Sequence, residues 1–262
     1  MDNTHPWRQV NITFPDWDHA ENTAASRLAP LLDAAGGWWF IRKHPCWRIR
    51  YRPRTGNNSI TERNLDSLVS AGHITGWTDA VYEPEARAFG GREAITAAHR
   101  LFEADSRSIL AYLRSEPDFT HRREAALMLC TIMMRAASQD WYEQGDIWAR
   151  VAAHRNPPSG PGSADPSPAS VRHFLTAAEN PLRGKTPLAR CSKWTAAYAD
   201  AGRELVSLTT HGQLHRGLRD VLAHHVIFAW NRMGLSHAAQ SALAGTAATI
   251  IFGQDPTMAA AR

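Results

Sequence analysis

The stretch WWFIRKHPCWRIRYR, Trp38 to Arg52, constrains this chain more than any other. It carries two apolar and basic runs separated by His44, Pro45 and Cys46. In the second run Arg48, Arg50 and Arg52 alternate with Trp47, Ile49 and Tyr51. Successive side chains on a β-strand point to opposite faces, so this alternation predicts a strand with one arginine face and one apolar face. The apolar face packs; the arginine face is expected to be exposed and to recognise something anionic or strongly polar. Guanidinium groups at alternate positions offer planar, multi-donor hydrogen bonding, whereas a strand face that is merely solvated more often carries lysine, threonine and glutamate. The other reading of the same pattern is an ordinary edge strand whose arginines lay their stems along the sheet.

The flanking segments supply partners for such a strand. Val10, Ile12 and Phe14 alternate up to Pro15 and read as a strand, and Asp18 to Ala34 follows as a helix with Leu28, Leu31 and Leu32 on its core face, ending at Gly36 and Gly37. Pro53 to Ser59 is a turn cluster, Thr61 to Ala71 is helical until Gly72, and His73 to Glu85 alternates around Ile74, Trp77 and Val81. This order predicts an α+β fold with a mixed sheet in the N-terminal part, covered by a predominantly helical C-terminal part. From Glu93 the period becomes 3.6, through Leu101 and again from Thr120 to Ala153. Asn156 to Pro168, NPPSGPGSADPSP, holds neither period and reads as a mobile loop or lid rather than a domain linker. Further helices are expected at Ala169–Ala178, Lys193–Leu208, Gln213–Met233 and His237–Ile251. They are too few and too apolar to stand alone, so residues 1–262 are read as one domain.

Composition excludes several classes. With 44% hydrophobic and 21% charged residues the chain reads as a soluble globular protein. No run approaches the length of a membrane span, and MDNTHPWRQV lacks the regions of a signal peptide, so a cytoplasmic location with no membrane partner is expected. Cys46, Cys130 and Cys191 are scattered and lack paired spacing, which predicts reduced thiols. A net charge of +4 is too small and dispersed to imply nucleic acid; an acidic peptide fits it. There is no phosphate-cradling loop, dinucleotide fingerprint, nucleophile elbow or zinc-binding helix motif, and neither a cofactor nor a metal is expected. His224 and His225, adjacent on a helix, would project about 100° apart, which argues against a shared metal site and leaves a helical or capping role or acid–base work by one of them. Ten tryptophans serve core packing first, and such a load also lines grooves for flat heteroaromatic or peptide groups.

Four segments together carry a family resemblance: WWFIRKHPCWRIRYR, YEPEARAFGG at Tyr82 to Gly91, FEADS at Phe102 to Ser106, and FAWNRMGL at Phe228 to Leu235. In this order they resemble the thiopeptide-type bacteriocin biosynthesis domain over nearly the whole chain. That family includes the C-terminal glutamate-elimination domain of class I lantibiotic dehydratases and the stand-alone pyridine synthases of thiopeptide pathways. Elimination domains of this type read F-I-R-Y-x-D-P, H-x-R-L-R and E-x-E-R-Y-G-G, with a histidine shortly before N-R. Arg48 and Arg50 match the paired arginines. Lys43-His44-Pro45-Cys46-Trp47 replaces the tyrosine, the aspartate-proline and the histidine, Ala88 replaces the arginine of E-R-Y-G-G, and Ile227 to Trp230 contain no histidine before Asn231 and Arg232. Losing a cation that would bind the departing glutamate and an acid–base group argues against elimination.

The resemblance therefore implies a pyridine synthase. Such an enzyme joins two dehydroalanines of an azole-containing precursor peptide in a formal aza-[4+2] cycloaddition, then expels water and the leader peptide, without metal or cofactor. Arg48, Arg50, Tyr82, Glu83, Glu85 and Ser106 are the candidate catalytic residues, the carboxylates having a capping or pairing role as their alternative. Trp39, Arg42, Trp47, His225 and Trp230 are candidate walls for the substrate, and Asn231 and Arg232 are expected to hold their helix to the sheet. The leader-bearing precursor is the expected partner, with other enzymes of the pathway as further candidates. Two alternatives remain open: a glutamate-elimination partner of a split dehydratase, and a non-catalytic peptide-binding subunit.

Overall fold

The computed structural model describes residues 7–53, 58–116, 120–155, 166–178 and 186–253. The strands within them are β1 (Arg8–Thr13), β2 (Gly36–Lys43), β3 (Cys46–Pro53) and β4 (Gly76–Ala80), in the sheet order β2-β3-β1-β4. The α+β class is as expected, but the sheet is antiparallel in each of its pairings rather than mixed. The cause is partly local. Only His44 and Pro45 separate β2 from β3, and a connection that short returns the chain antiparallel, whereas a parallel neighbour needs a crossover of a dozen or more residues. The arginine strand β3 lies inside the sheet, between β2 and β1, so it is not an edge strand.

The chain divides into two compact units, Met1–Pro84 with Phe102–Thr120, and Glu85–Leu101 with His121–Arg262. In the first, one sheet face is sealed by α1 (Ala20–Thr23), a π-helical turn (Ala24–Leu28), α2 (Ala29–Ala35) and α3 (Asn58–Ser70). Polar contacts pin each helix to that face. Trp38 Nε1 donates to Asp33 at 2.8 Å, Arg42 pairs with Glu21, Trp77 Nε1 donates to Asp66 at 3.0 Å, and Arg8 reaches Glu62 at 3.2 Å. Between these contacts Val10, Ile12, Phe40, Trp47, Ile49 and Tyr51 are buried. β4 ends at Ala80, opposite Gln9, and Val81, expected inside the strand, is 85% exposed.

The long helix α4 (Arg92–Ser115) contributes to both units. The second unit is otherwise built from α5 (Arg122–Ala136), α6 (Trp141–His154), α7 (Pro168–Ala177), α8 (Ser192–Thr210), α9 (Leu218–Arg232) and α10 (His237–Phe252). The helical stretch expected from Thr120 to Ala153 is thus two helices. Ser138, at φ 59°, turns the chain, and Asp140 starts α6 with a reciprocal capping box to Glu143. α9 begins at Leu218 rather than near Gln213, after a turn through Gly212 at φ 68°. Of the expected loop at 156–168, residues 156–165 lie outside the described residues, and Pro168 already opens α7.

The packing of α8 against α5 depends on Gly202. A Cβ there would sit 2.3 Å from the carbonyl oxygen of Met133 and 2.9 Å from Ala136 Cβ, contacts that real Cβ atoms do not make. Gly202→Ala must push the two helices apart, at a cost of about 2 kcal/mol or more. Calorimetry is expected to show a melting temperature lower by on the order of 5 °C; an unchanged melt would mean that the two helices do not cross at this distance.

Candidate functional site

On the other side of the sheet the register aligns Trp39 of β2, Arg50 of β3 and Gln9 of β1 in one row across three strands; all three are buried, and Phe102 of α4 packs on the Trp39 ring at 4.8 Å. Side chains opposite each other in an antiparallel pair share a face, so the row fixes Arg50 from both sides. Its Nε donates to Gln9 Oε1 at 2.8 Å, and its guanidinium lies 4.5 Å from the Trp39 ring centroid and 5.2 Å from that of Tyr82. Trp39 and Tyr82 meet edge to face at 5.6 Å. Gln9 in turn donates to Asn11 at 3.1 Å, in the next row, where Arg48 stands opposite Asn11. The three arginines of β3 thus differ. Arg52 is exposed and paired with Glu103 at 2.7 Å, Arg50 is buried at 7% exposure, and Arg48 is half-buried with its Nε lacking a hydrogen-bond partner among the described residues. The exposed arginine face expected from the alternation is therefore exposed only at Arg52. Burial of Arg50 follows from the aromatic rings and the glutamine packed around it.

A guanidinium set against two aromatic rings and hydrogen-bonded to a neighbouring amide has little freedom left to lose. Such a cation is preorganised to hold a peptide carbonyl or carboxylate and to favour negative charge that develops on its oxygen. Tyr82 belongs to this cluster, and Glu83, one residue on, is exposed and forms no ion pair among the described residues. Ser106 stands elsewhere in the same unit. It is fully buried, and its hydroxyl accepts the Phe40 N–H at 3.2 Å on the outer edge of β2, satisfying a backbone donor that the sheet leaves unpaired. Arg42 and Trp47 lie on the opposite, sealed face, with the Arg42 guanidinium 4.6 Å from the Trp47 ring and Trp47 stacked on Phe40 at 4.7 Å.

In the helical unit, Glu85 Oε2 is 2.9 Å from His224 Nε2. His225, next along α9, is buried and meets Phe89 edge to face at 4.9 Å. Burial, with the nearby His224 and Arg232 charges adding to it, pushes its imidazolium pKa down to about 3. Trp230 is fully buried, stacked on Trp148 at 5.5 Å, with Nε1 donating to Ala126 O at 3.3 Å. Asn231 holds α9 to α10: its Oδ1 accepts from Gln240 at 2.9 Å. Among the described residues no group of three or more His, Cys, Asp and Glu side chains converges as a metal site would require, and no helix is long and apolar enough to cross a membrane.

This architecture has known counterparts. Residues 7–251 match the lantibiotic biosynthesis dehydratase C-terminal family, and the chain belongs to it. Its fold is similar to that of TsrL (TM-score 0.60, 15% identity, 94% of this chain and 97% of that one) and of TbtD, a pyridine synthase from thiomuracin biosynthesis (TM-score 0.60, 13% identity, 94% and 98%). It is also similar to part of MibB, a tRNA-dependent lantibiotic dehydratase from Microbispora sp. 107891 (TM-score 0.63, 16% identity); all of this chain is covered, but it spans only 29% of that protein. No curated protein sequence matches the chain.

One site residue escaped the sequence analysis and another was only half legible. Gln9 shares a period-two face with Asn11, which the strand pattern shows, but its place beside Arg50 depends on a pairing between distant strands. Acid–base work by one of His224 and His225 was an open alternative, but which of them was not legible, because the partner of His224, Glu85, lies 139 residues away.

Burial of His225 has a measurable consequence. In the folded chain it stays neutral down to about pH 3, while in the unfolded chain it takes up a proton below its ordinary value of 6.5. Between these values the unfolded state binds more protons, so His225 lowers stability as the pH falls through that window. Melting temperatures of the native protein and His225→Gln, compared from pH 7 to pH 4, are expected to converge as the solution becomes acidic. A difference independent of pH would contradict a neutral, buried His225.

Proposed function

We propose that the chain is a pyridine synthase of thiopeptide biosynthesis, acting in the cytoplasm as one functional domain on a leader-bearing precursor peptide that carries azoles and dehydroalanines. The observation that supports this most is the Arg50 guanidinium held by Gln9 between Trp39 and Tyr82. The reaction has to bring two distant dehydroalanines together and shift one amide to its imidic-acid tautomer. Fixing the two ends in one geometry is worth on the order of 7 kcal/mol in favourable intramolecular cases. Arg50 would hold the amide oxygen and favour negative charge on it, the Tyr82 hydroxyl would exchange the amide proton, and the rings of Trp39 and Tyr82 would offer flat apolar surface to an azole. Arg48, with an unfilled Nε, would add a second donor along the strand. Ala88 and the histidine-free run from Ile227 to Trp230 weigh against elimination, because that reaction must stabilise a departing carboxylate and remove an α proton.

Glutamate elimination is the second reading, and the Glu85–His224 pair favours it, since a carboxylate beside an imidazole is a ready acid–base couple. One experiment separates the two. The protein is incubated with a leader-bearing bis-dehydroalanine, thiazole-containing peptide and, in parallel, with a glutamylated serine peptide, and both are followed by mass spectrometry. Conversion of the first to a pyridine macrocycle with release of the leader, and no change in the second, is expected. Dehydration of the glutamylated peptide with no ring from the other overturns the synthase and installs elimination.

A further inference from the structure

We propose that His224 moves the proton of the final, aromatising step and that Glu85 positions it. The geometry comes from two distant parts of the chain. Glu85 opens a tight segment in which Phe89 N–H donates to Glu85 O at 3.1 Å and Gly91 N–H to Ala86 O at 2.8 Å. Residues preceding α9 brace that segment. The His215 N–H donates to Gly90 O at 2.7 Å, Arg216 Nη1 donates to Ala88 O at 2.8 Å, and Leu214 packs so close to Gly90 that a Cβ there would meet it at 2.6 Å. Gly90 and Gly91 take φ values of 93° and 122°, a region that suits glycine, so the loop is held in one conformation. The Glu85 carboxylate is thereby delivered to the His224 ring nitrogen Nε2 at 2.9 Å.

The ring is also fixed from its sides. Phe89 meets it edge to face at 4.7 Å and Phe228, one turn further along α9, lies at 5.0 Å. With Nε2 engaged, Nδ1 has no hydrogen-bond partner among the described residues, and the side chain is 21% exposed. An imidazole oriented by a carboxylate through one nitrogen, with the other open, is the arrangement that lets histidine accept and return a proton. His225, next along the helix, is buried and has no such access.

The identity of the reaction rests on the function proposed above, and the balance of the step follows from it. In the final aromatisation a ring C–H is deprotonated by His224 Nδ1, and its electron pair becomes a ring double bond. The exocyclic C–N bond to the leader breaks with its pair on nitrogen, and the imidazolium returns the proton to that nitrogen, releasing the leader as a neutral carboxamide. Nothing is oxidised or reduced, and the imidazole is regenerated.

The test uses the full chain and both peptides named above. His224→Gln and Glu85→Gln are expected to melt like the native protein. Turnover of the converted peptide is expected to fall by roughly 100-fold or more in His224→Gln, in kcat rather than KM, and less in Glu85→Gln. The double variant should be no worse than His224→Gln, because the two residues act as one unit. In His224→Ala, added imidazole is expected to restore part of the lost rate, which a structural role would not allow. Native-like turnover of the bis-dehydroalanine peptide by His224→Gln overturns the dyad and leaves the synthase standing. Loss of elimination in His224→Gln, with the glutamylated peptide as the substrate converted, keeps the dyad and overturns the synthase. If the native protein converts neither peptide, the dyad falls with it.

Discussion

The antiparallel register that sets Arg50 between Trp39 and Gln9 is the constraint on which the sheet unit depends. Opposite residues of adjacent strands share a face, so the two registers assign every side chain of β1, β2 and β3 at once. A slip of one residue would turn Trp47, Ile49 and Tyr51 toward the face that carries Arg50. It would also bury the arginines beneath α1 to α3. The apolar side is anchored by Trp38 on Asp33, Trp77 on Asp66 and Arg42 on Glu21, so helix docking and register enforce each other. The cluster around Arg50 is in this sense a by-product of sealing the other face.

Alternation in Trp47 to Arg52 was enough to find β3 and to separate its two faces, because a period of two needs only local information. Whether β3 lay at an edge, and which residues stood beside Arg50, depended on strands far apart in the chain. Burial of Arg50 was illegible for the same reason, since arginine alone reads as exposed. The sealed positions of Trp47 and Arg42 could be read from that same alternation only for Trp47; Arg42 joins it through the register of β2. Ser106 was picked from a family motif, and its bond to the β2 edge appears only once α4 is placed beside the sheet.

The helical unit shows the complementary case. The period of 3.6 located its helices well, but it concealed the break before α6, although Asp140 and Glu143 form a capping box that is legible as D-x-x-E. α9 carries two adjacent histidines with opposite fates: His225 turns into the core and is held neutral, while His224 meets Glu85. Their adjacency in sequence announced that they would point in different directions, and only the fold tells which one stays accessible.

β3 is proposed to present a preorganised guanidinium at position 50, which Arg50→Lys removes. Lysine keeps the charge but loses the planar group that lies against Trp39 and Tyr82 while bonding Gln9. Steady-state turnover of the converted peptide should be measured alongside the thermal melt. A cooperative melt close to native is expected, with a kcat/KM lower by on the order of 100-fold, the loss typical of removing one preorganised donor. Native turnover from a folded Arg50→Lys protein would contradict it.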